Sequence, residues 1–144
     1  MEAGLYIHIP FCRKKCNYCD FYSIGGTYSV PDEYVRALKR ELAKYPELIC
    51  KTVYFGGGTP SLLDGCQVAD ILSVLTIKDG AEITLEANPE TLTAEKLWAY
   101  RRAGVNRLSV GVQTVYDKSL AVLGRIHSSQ NSERGIHDGK RGGL

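Results

Sequence analysis

Three of the five cysteines, Cys12, Cys16 and Cys19, fall in a C-x3-C-x2-C spacing within Tyr6 to Phe21, which reads Y-I-H-I-P-F-C-R-K-K-C-N-Y-C-D-F. The spacing puts three thiolates on one short loop, directly after the apolar run Leu5 to Ile9. Such a set suits an iron–sulfur cluster, which normally takes four cysteines; three leave one iron open. Zinc is a second reading, but structural zinc sites need four ligands, usually as paired C-x2-C or C…H units. His8 is a poor fourth ligand, since it lies inside the apolar run. Three unrelated core cysteines are the third reading. The cations Arg13, Lys14 and Lys15 between the first two thiols argue instead for a solvated, thiolate-favouring loop.

The elements that must position this loop alternate along the chain. Residues 5–9 read as a short buried strand. A helix follows from the Ser29 to Asp32 region, with Ser29 and Asp32 as capping candidates and Pro31 in its first turn. Val35, Leu38, Leu42 and Tyr45 recur along it at helical spacing. Residues 52–55 form a second strand that runs into Gly56-Gly57-Gly58. Asp64 and Gln67 make a capping box before the apolar stripe Val68, Ile71, Leu72 and Leu75. Residues 83–87 form a third strand, broken by Asn88-Pro89. Thr93 caps and Gly104 stops the next helix. Residues 107–112 form a fourth strand, and Asp117 to Leu123 begins a fourth helix. Strand, loop and helix alternate with no hairpin signal, so the expectation is an α/β chain of parallel βαβ units.

In parallel α/β architectures, sites lie at the carboxyl ends of the strands. The cysteines follow the first strand, Gly56 to Ser61 the second, Glu86 to Pro89 the third and Gln113 the fourth. Glycines in the second loop either make a tight turn or let a ligand approach the backbone. Glu86, between Leu85 and Ala87, is costly to bury unpaired, so it either meets a Lys or Arg or serves a ligand. Cys50 and Cys66 read as ordinary small residues near helix ends.

The string Y-x-H-I-P-F-C-x3-C-x-Y-C resembles the radical S-adenosylmethionine (SAM) superfamily, and within it the oxygen-independent coproporphyrinogen III oxidase-like group. The resemblance covers about Leu5 to Ser129. It implies that Cys12, Cys16 and Cys19 hold a [4Fe–4S] cluster whose open iron chelates SAM, and that one electron then splits SAM. It implies the first four βα units of a partial (β/α)6 barrel with a parallel sheet. It assigns SAM contacts to Gly57, Gly58 and Thr59, to Tyr6 in the first strand, to Tyr18 packing on the nucleoside, to Glu86 as a carboxylate, and to Gln113. Arg125 in L-G-R-I-H matches an arginine that faces a carboxylate with a bidentate fork; on its own it reads as a charge at a helix C-terminus. His127 shares that string without an assigned role.

Two departures bear on function. The oxidases of the group carry a further cysteine two residues after the third, where this chain has Phe21, and they have an N-terminal extension, where this chain has only Met1 to Gly4 before Leu5. Both favour the group's heme-chaperone branch, which binds heme and passes it on, over oxidation of coproporphyrinogen III; enzyme status stays open. The implied partners are SAM, heme or a porphyrin, an electron donor and a heme-acceptor protein. After Gln130 the apolar pattern stops. Residues 1–130 thus read as a partial core domain and 131–144 as an atypical, disordered tail, the mark of a truncated or frameshifted copy that could also be inert.

Composition sets the outer bounds. At 144 residues the chain is one domain at most, with 44% hydrophobic and 24% charged residues, a globular balance. A formal net charge of +2 gives no case for nucleic acid. No apolar run approaches the ~20 residues that span a bilayer. No basic start with an apolar h-region marks a signal peptide. With an odd cysteine count in a metal-like spacing, the expected compartment is the cytoplasm.

Overall fold

A computed structural model describes all 144 residues. The elements are β1 (Glu2–Ile9), α1 (Asp32–Leu42), β2 (Ile49–Gly57), α2 (Gly65–Leu72), β3 (Thr76–Ala87), α3 (Ala94–Ala103), β4 (Arg107–Val110), α4 (Asp117–Val122) and α5 (Ser129–Arg141). The strands form one parallel sheet in the order β1-β2-β3-β4. Each step therefore needs a crossover, and α1, α2 and α3 supply them. α1 packs on α2 and α2 on α3. Helices that neighbour each other in chain order over strands in chain order lie on one face of the sheet, as in a barrel wall.

Cross-strand register explains the sequence alternation. Ile7, Phe55, Leu85 and Leu108 stand in one row. Ile7, Phe55 and Leu85 are at most 1% exposed and face the helical layer with Val68, Ile71, Leu97 and Tyr100. The neighbouring row, Tyr6, Tyr54, Thr84 and Arg107, points to the other face. Sheets buried on both faces read as continuous apolar runs. Here the period of two survives because only one face is packed by helices.

Capping follows the sequence at two helices. Asp64 and Gln67 form the reciprocal box at α2. Thr93 accepts from the Lys96 N–H at α3, and Gly104 ends α3 with φ of 117°. At α1 the expected side-chain caps are absent. Pro31 occupies the N-cap position, and Gln67 of α2 instead donates to Val30 O and Asp32 Oδ1, both at 2.9 Å. α1 ends at Leu42, so Tyr45 lies in the following turn. Cys50 is not near a helix end but fully buried in β2, and burial pushes its thiol pKa up. Cys66 lies in the exposed first turn of α2. β3 is longer than expected, because Thr76 and Ile77 pair with β2 before residues 78–81 bulge out at Gly80, φ 76°.

The largest correction concerns residues 131–144. They are not irregular but carry α5. A second capping box, Ser128 with Asn131, starts it. Its packed face is made of small residues rather than apolar ones. Ser132, Gly135 and Gly139 are buried, and a Cβ on Gly135 or Gly139 would stand 3.2 Å or 3.5 Å from Leu92 and Leu108 methyls. α5 thereby approaches the Pro89–Thr91 turn, β4 and α3. A search for apolar periodicity does not detect such a stripe. No helix is long and apolar enough to cross a membrane.

α2 and α3 cross closely at one point, where a Cβ on Gly65 would sit 2.4 Å from Ala99 Cβ. Gly65→Val is expected to force the helices apart and to destabilise the fold by about 1–3 kcal/mol, as overpacking does. A lowered denaturant midpoint at unchanged m-value checks this.

Candidate functional site

The parallel ladder continues past the strand ends into the cysteine loop. Gly58 N–H donates to Ile9 O at 2.9 Å and Thr59 N–H to Phe11 O at 2.8 Å. The loop then closes on itself through Cys12 N–H to Ile24 O at 2.9 Å and Thr27 N–H to Cys12 O at 3.0 Å. Cys12 is buried, while Cys16 and Cys19 are partly exposed. From the far end of the chain, Asn17 clasps α4: its N–H donates to Leu123 O at 3.1 Å and its Nδ2 to Val122 O at 2.9 Å.

These segments border a cleft of about 350 Å³ at the carboxyl rim of the sheet. Cys12, Cys16, Cys19 and Tyr18 line it from the first loop, and Gly57, Gly58 and Thr59 from the second. Glu86 enters from β3, and Gln113 and Arg125 from beyond β4. Lys14 and Lys15 add positive charge. Tyr6 is the sequence candidate that does not reach the cleft. Its hydroxyl bonds His8 Nδ1 at 3.0 Å and its ring stacks on Tyr54.

The three glycines serve contacts within the chain. A Cβ on Gly56 would lie 2.8 Å from the Tyr6 ring, and one on Gly57 would lie 2.6 Å from the His8 ring. One on Gly58 would lie 2.7 Å from Phe11 O and 3.0 Å from Cys12 Sγ. Glu86 makes no salt bridge to a Lys or Arg. Tyr54 Oη donates to its Oε1 at 2.7 Å and the Gly57 N–H to its Oε2 at 3.2 Å. Burial, then the bond to Glu86, raises the Tyr54 pKa. Gln113 holds a φ of 66°, the one non-glycine residue with positive φ. Such backbone strain concentrates at functional positions.

Two residues that the sequence left without a role are central here. Asn88 Nδ2 donates to Thr59 Oγ1 at 3.2 Å, and Thr59 Oγ1 donates to Cys12 Sγ at 3.5 Å. On its other side Asn88 Oδ1 accepts from Arg125 Nη2 at 3.1 Å, and Arg125 Nη1 donates to Cys16 Sγ at 3.4 Å. A continuous run of hydrogen bonds thus joins two cysteine sulfurs through the ends of β2 and β3. The only signal for Asn88 was its place after a strand. His127, 4% exposed, accepts from Arg125 Nε at Nδ1 (3.3 Å), and its Nε2 lies 3.2 Å from Val112 O. Burial first, and Arg125 second, lower its pKa. A neutral ring with its proton on Nε2 satisfies both contacts. Its Nδ1 then has no proton for Glu90 Oε2, 3.6 Å away, and that buried oxygen has no partner. Beneath the cleft, Lys96 donates to Ser61 O at 2.5 Å, and burial, with Arg13 nearby, pulls its pKa down to about 8.

No group of three or more His, Cys, Asp or Glu side chains gathers around one point as for a single metal ion. A four-iron cluster is instead gripped at separate corners, and three thiols bordering one cleft suit that mode. The missing side chain of Gly58 also leaves room for Cys12 Sγ to sit against the second loop, where a Cβ would lie 3.0 Å from it.

A parallel sheet with its helices on one face and a three-thiol loop over its carboxyl rim defines a partial (β/α) barrel with a cysteine-centred site. The profile of the Radical SAM superfamily matches residues 6–144, and the chain belongs to that superfamily. It is 46% identical over 142 residues to the heme chaperone HemW of Escherichia coli, covering 91% of this chain and 37% of that protein. It is 42% identical to HemW of Bacillus subtilis, covering 88% of this chain and 36% of that protein. The chain thus spans little more than a third of the relatives it matches. Among solved structures, Escherichia coli coproporphyrinogen III oxidase (HemN), described as a radical SAM enzyme, superposes with a TM-score of 0.86 at 26% identity. That match covers 96% of this chain and 34% of HemN. Methylornithine synthase shares the fold at a TM-score of 0.59 and 17% identity.

His127 carries a pH expectation. Its folded pKa lies below the unfolded value of about 6.5, so the unfolded chain binds the proton more readily. The associated stability is present above that value and is lost as pH falls through and below it. Between pH 7 and pH 5, His127→Gln should flatten the fall in urea midpoint relative to the unmodified chain.

Proposed function

We propose that this chain forms the cofactor-binding part of a radical SAM protein of the heme-chaperone type. Cys12, Cys16 and Cys19 would hold a [4Fe–4S] cluster with one iron left open to SAM. The observation that carries this reading is the single cleft bordered by all three thiols, the Gly57–Thr59 backbone and Glu86. When bound, the cluster and SAM supply one-electron cleavage of the sulfonium. The chain's own residues bind and orient. The rim of Gly57, Gly58 and Thr59 lets a ligand lie against the backbone, and Glu86 offers a carboxylate already oriented by Tyr54. Gln113 and Tyr18 border the SAM volume from the β4 side and the cysteine loop. Tyr6 acts from behind, fixing His8 and the glycine turn.

Heme, or another porphyrin, is the proposed cargo, with an electron donor and a heme-acceptor protein as partners and the cytoplasm as compartment. The support is the level of identity to HemW and the presence of Phe21 where the oxidases carry a cysteine. The likeness to HemN favours coproporphyrinogen oxidation as the second reading.

Anaerobic reconstitution with iron and sulfide tests the proposal. The expected result is a [4Fe–4S]⁺ EPR signal in the reduced protein that shifts when SAM is added. Cys12→Ala, Cys16→Ala and Cys19→Ala should each abolish it, whereas Cys66→Ser should not. A wild-type chain that takes up no iron, or whose signal ignores SAM, overturns the reading. Hemin titration followed by anaerobic incubation with coproporphyrinogen III separates chaperone from oxidase, since oxidised product sinks the chaperone-only view.

A further inference from the structure

The sequence resemblance sets Arg125 against a ligand carboxylate, and the structure places it in the lining of the cleft. An arginine side chain loses much rotamer freedom when it is fixed, so a grip on a ligand is stronger when the chain has already fixed it. Two ends of the guanidinium are held. Nε donates to His127 Nδ1 at 3.3 Å, and Nη2 donates to Gly111 O at 2.7 Å and to Asn88 Oδ1 at 3.1 Å. Nη1 bonds only Cys16 Sγ, at 3.4 Å, and sulfur is a weak acceptor. Nη1 is thus the end left for a carboxylate.

We propose that His127 is a positioning residue for ligand binding: it holds Arg125 by Nε, so that the opposite end of the guanidinium meets the carboxylate of SAM. The inference rests on the proposed function, in which the cleft takes SAM. His127 does not line the cleft, and its side chain is fully buried behind Arg125. Both ring nitrogens are used. Nδ1 accepts from Arg125, and Nε2 donates to Val112 O at 3.2 Å. Val112 leads directly into Gln113, the cleft residue whose backbone has φ of 66°. One ring therefore ties the Arg125 side chain to the turn that carries Gln113. A buried leucine could fill the same space but could not accept from Nε. Glu90 Oε2, 3.6 Å from Nδ1, does not compete for Arg125, because it faces the nitrogen that has no proton.

The test uses the full chain, reconstituted anaerobically, with the dissociation constant for SAM and the iron and sulfide content as readouts. His127→Leu should weaken SAM binding about tenfold, the scale of one hydrogen bond to a charged group, at unchanged iron content. An asparagine amide oxygen stands where Nδ1 stands, whereas a glutamine amide reaches to the place of Nε2. His127→Asn should therefore restore the affinity, and His127→Gln, which keeps only the bond to Val112, should not. In an Arg125→Lys background, which has no Nε, His127→Leu should cause no further loss, since residues that act through one bond are not additive. Should His127→Leu lose iron, His127→Asn against His127→Gln carries the comparison. An iron-replete His127→Leu variant with wild-type affinity overturns the proposal. A loss that adds in full to that of Arg125→Lys, or that His127→Asn fails to repair, overturns it in favour of a packing role. A wild-type chain that loads no cluster, or ignores SAM, overturns this inference together with the proposed function. A loaded wild type that binds SAM, with unaffected His127 variants, overturns this inference alone.

Discussion

The site depends on one hydrogen-bonded run, Cys12 to Thr59 to Asn88 to Arg125 to Cys16. Parallel pairing makes it possible, because every strand ends on the same edge and every loop beyond a strand end meets its neighbours there. Bonds to sulfur are weak acceptor bonds, and each alone would contribute little. Their value lies in being chained, since a polar network in a partly buried setting orients every member through the next. The amide of Asn88 is used at both ends, as donor to Thr59 and as acceptor from Arg125, which fixes its orientation as well as its place.

The rim also shows how glycine acts in such a site. Gly56, Gly57 and Gly58 leave room first for the chain itself: for the Tyr6 ring, for the His8 ring and for the Phe11 backbone. The close approach of the two loops that this permits is what puts Thr59 beside Cys12. Glu86 gains its orientation in the same neighbourhood, between a tyrosine hydroxyl and a glycine N–H. A carboxylate held only by neutral donors keeps its charge uncompensated by any cation of the chain. Among the side chains of the cleft it is therefore the group suited to a cationic ligand.

The sheet, the alternating helices and the rim position of the cysteines, Gly57 to Thr59, Glu86 and Gln113 were legible in the sequence, whereas Tyr6 lies away from the cleft. Strands with one packed face keep a period of two, and capping boxes such as Asp64 with Gln67 leave a local signature. What stayed illegible depends on partners distant in the chain. Asn88 looks like a strand breaker until Thr59 and Arg125 are placed on either side of it. His127 acquires a role only through Arg125 Nε and Val112 O. α5 escaped notice because its packed face is Ser132, Gly135 and Gly139, whose lack of bulk, rather than hydrophobicity, seats the helix. The α1 start differs from the expectation because Pro31 takes the N-cap position and no side chain caps the first turn, while Asp32 is drawn aside as an acceptor for Gln67 of α2.

Sequence separation adds a last constraint. Arg125 reaches Cys16 across 109 residues, and Asn17 reaches Val122 across 105. Contacts this far apart repay their loop-closure cost only after the intervening sheet has formed. The cysteine loop closes on itself through Cys12 and Ile24, but its orientation over the cleft depends on contacts with the segment beyond β4. Any group held by the three thiols would then bind a loop already fixed at both ends. Its binding free energy would add to the clasp made by Asn17 and Arg125, because ligands that favour the folded arrangement stabilise it. The cysteines supply the donors, and the last quarter of the chain fixes where they point.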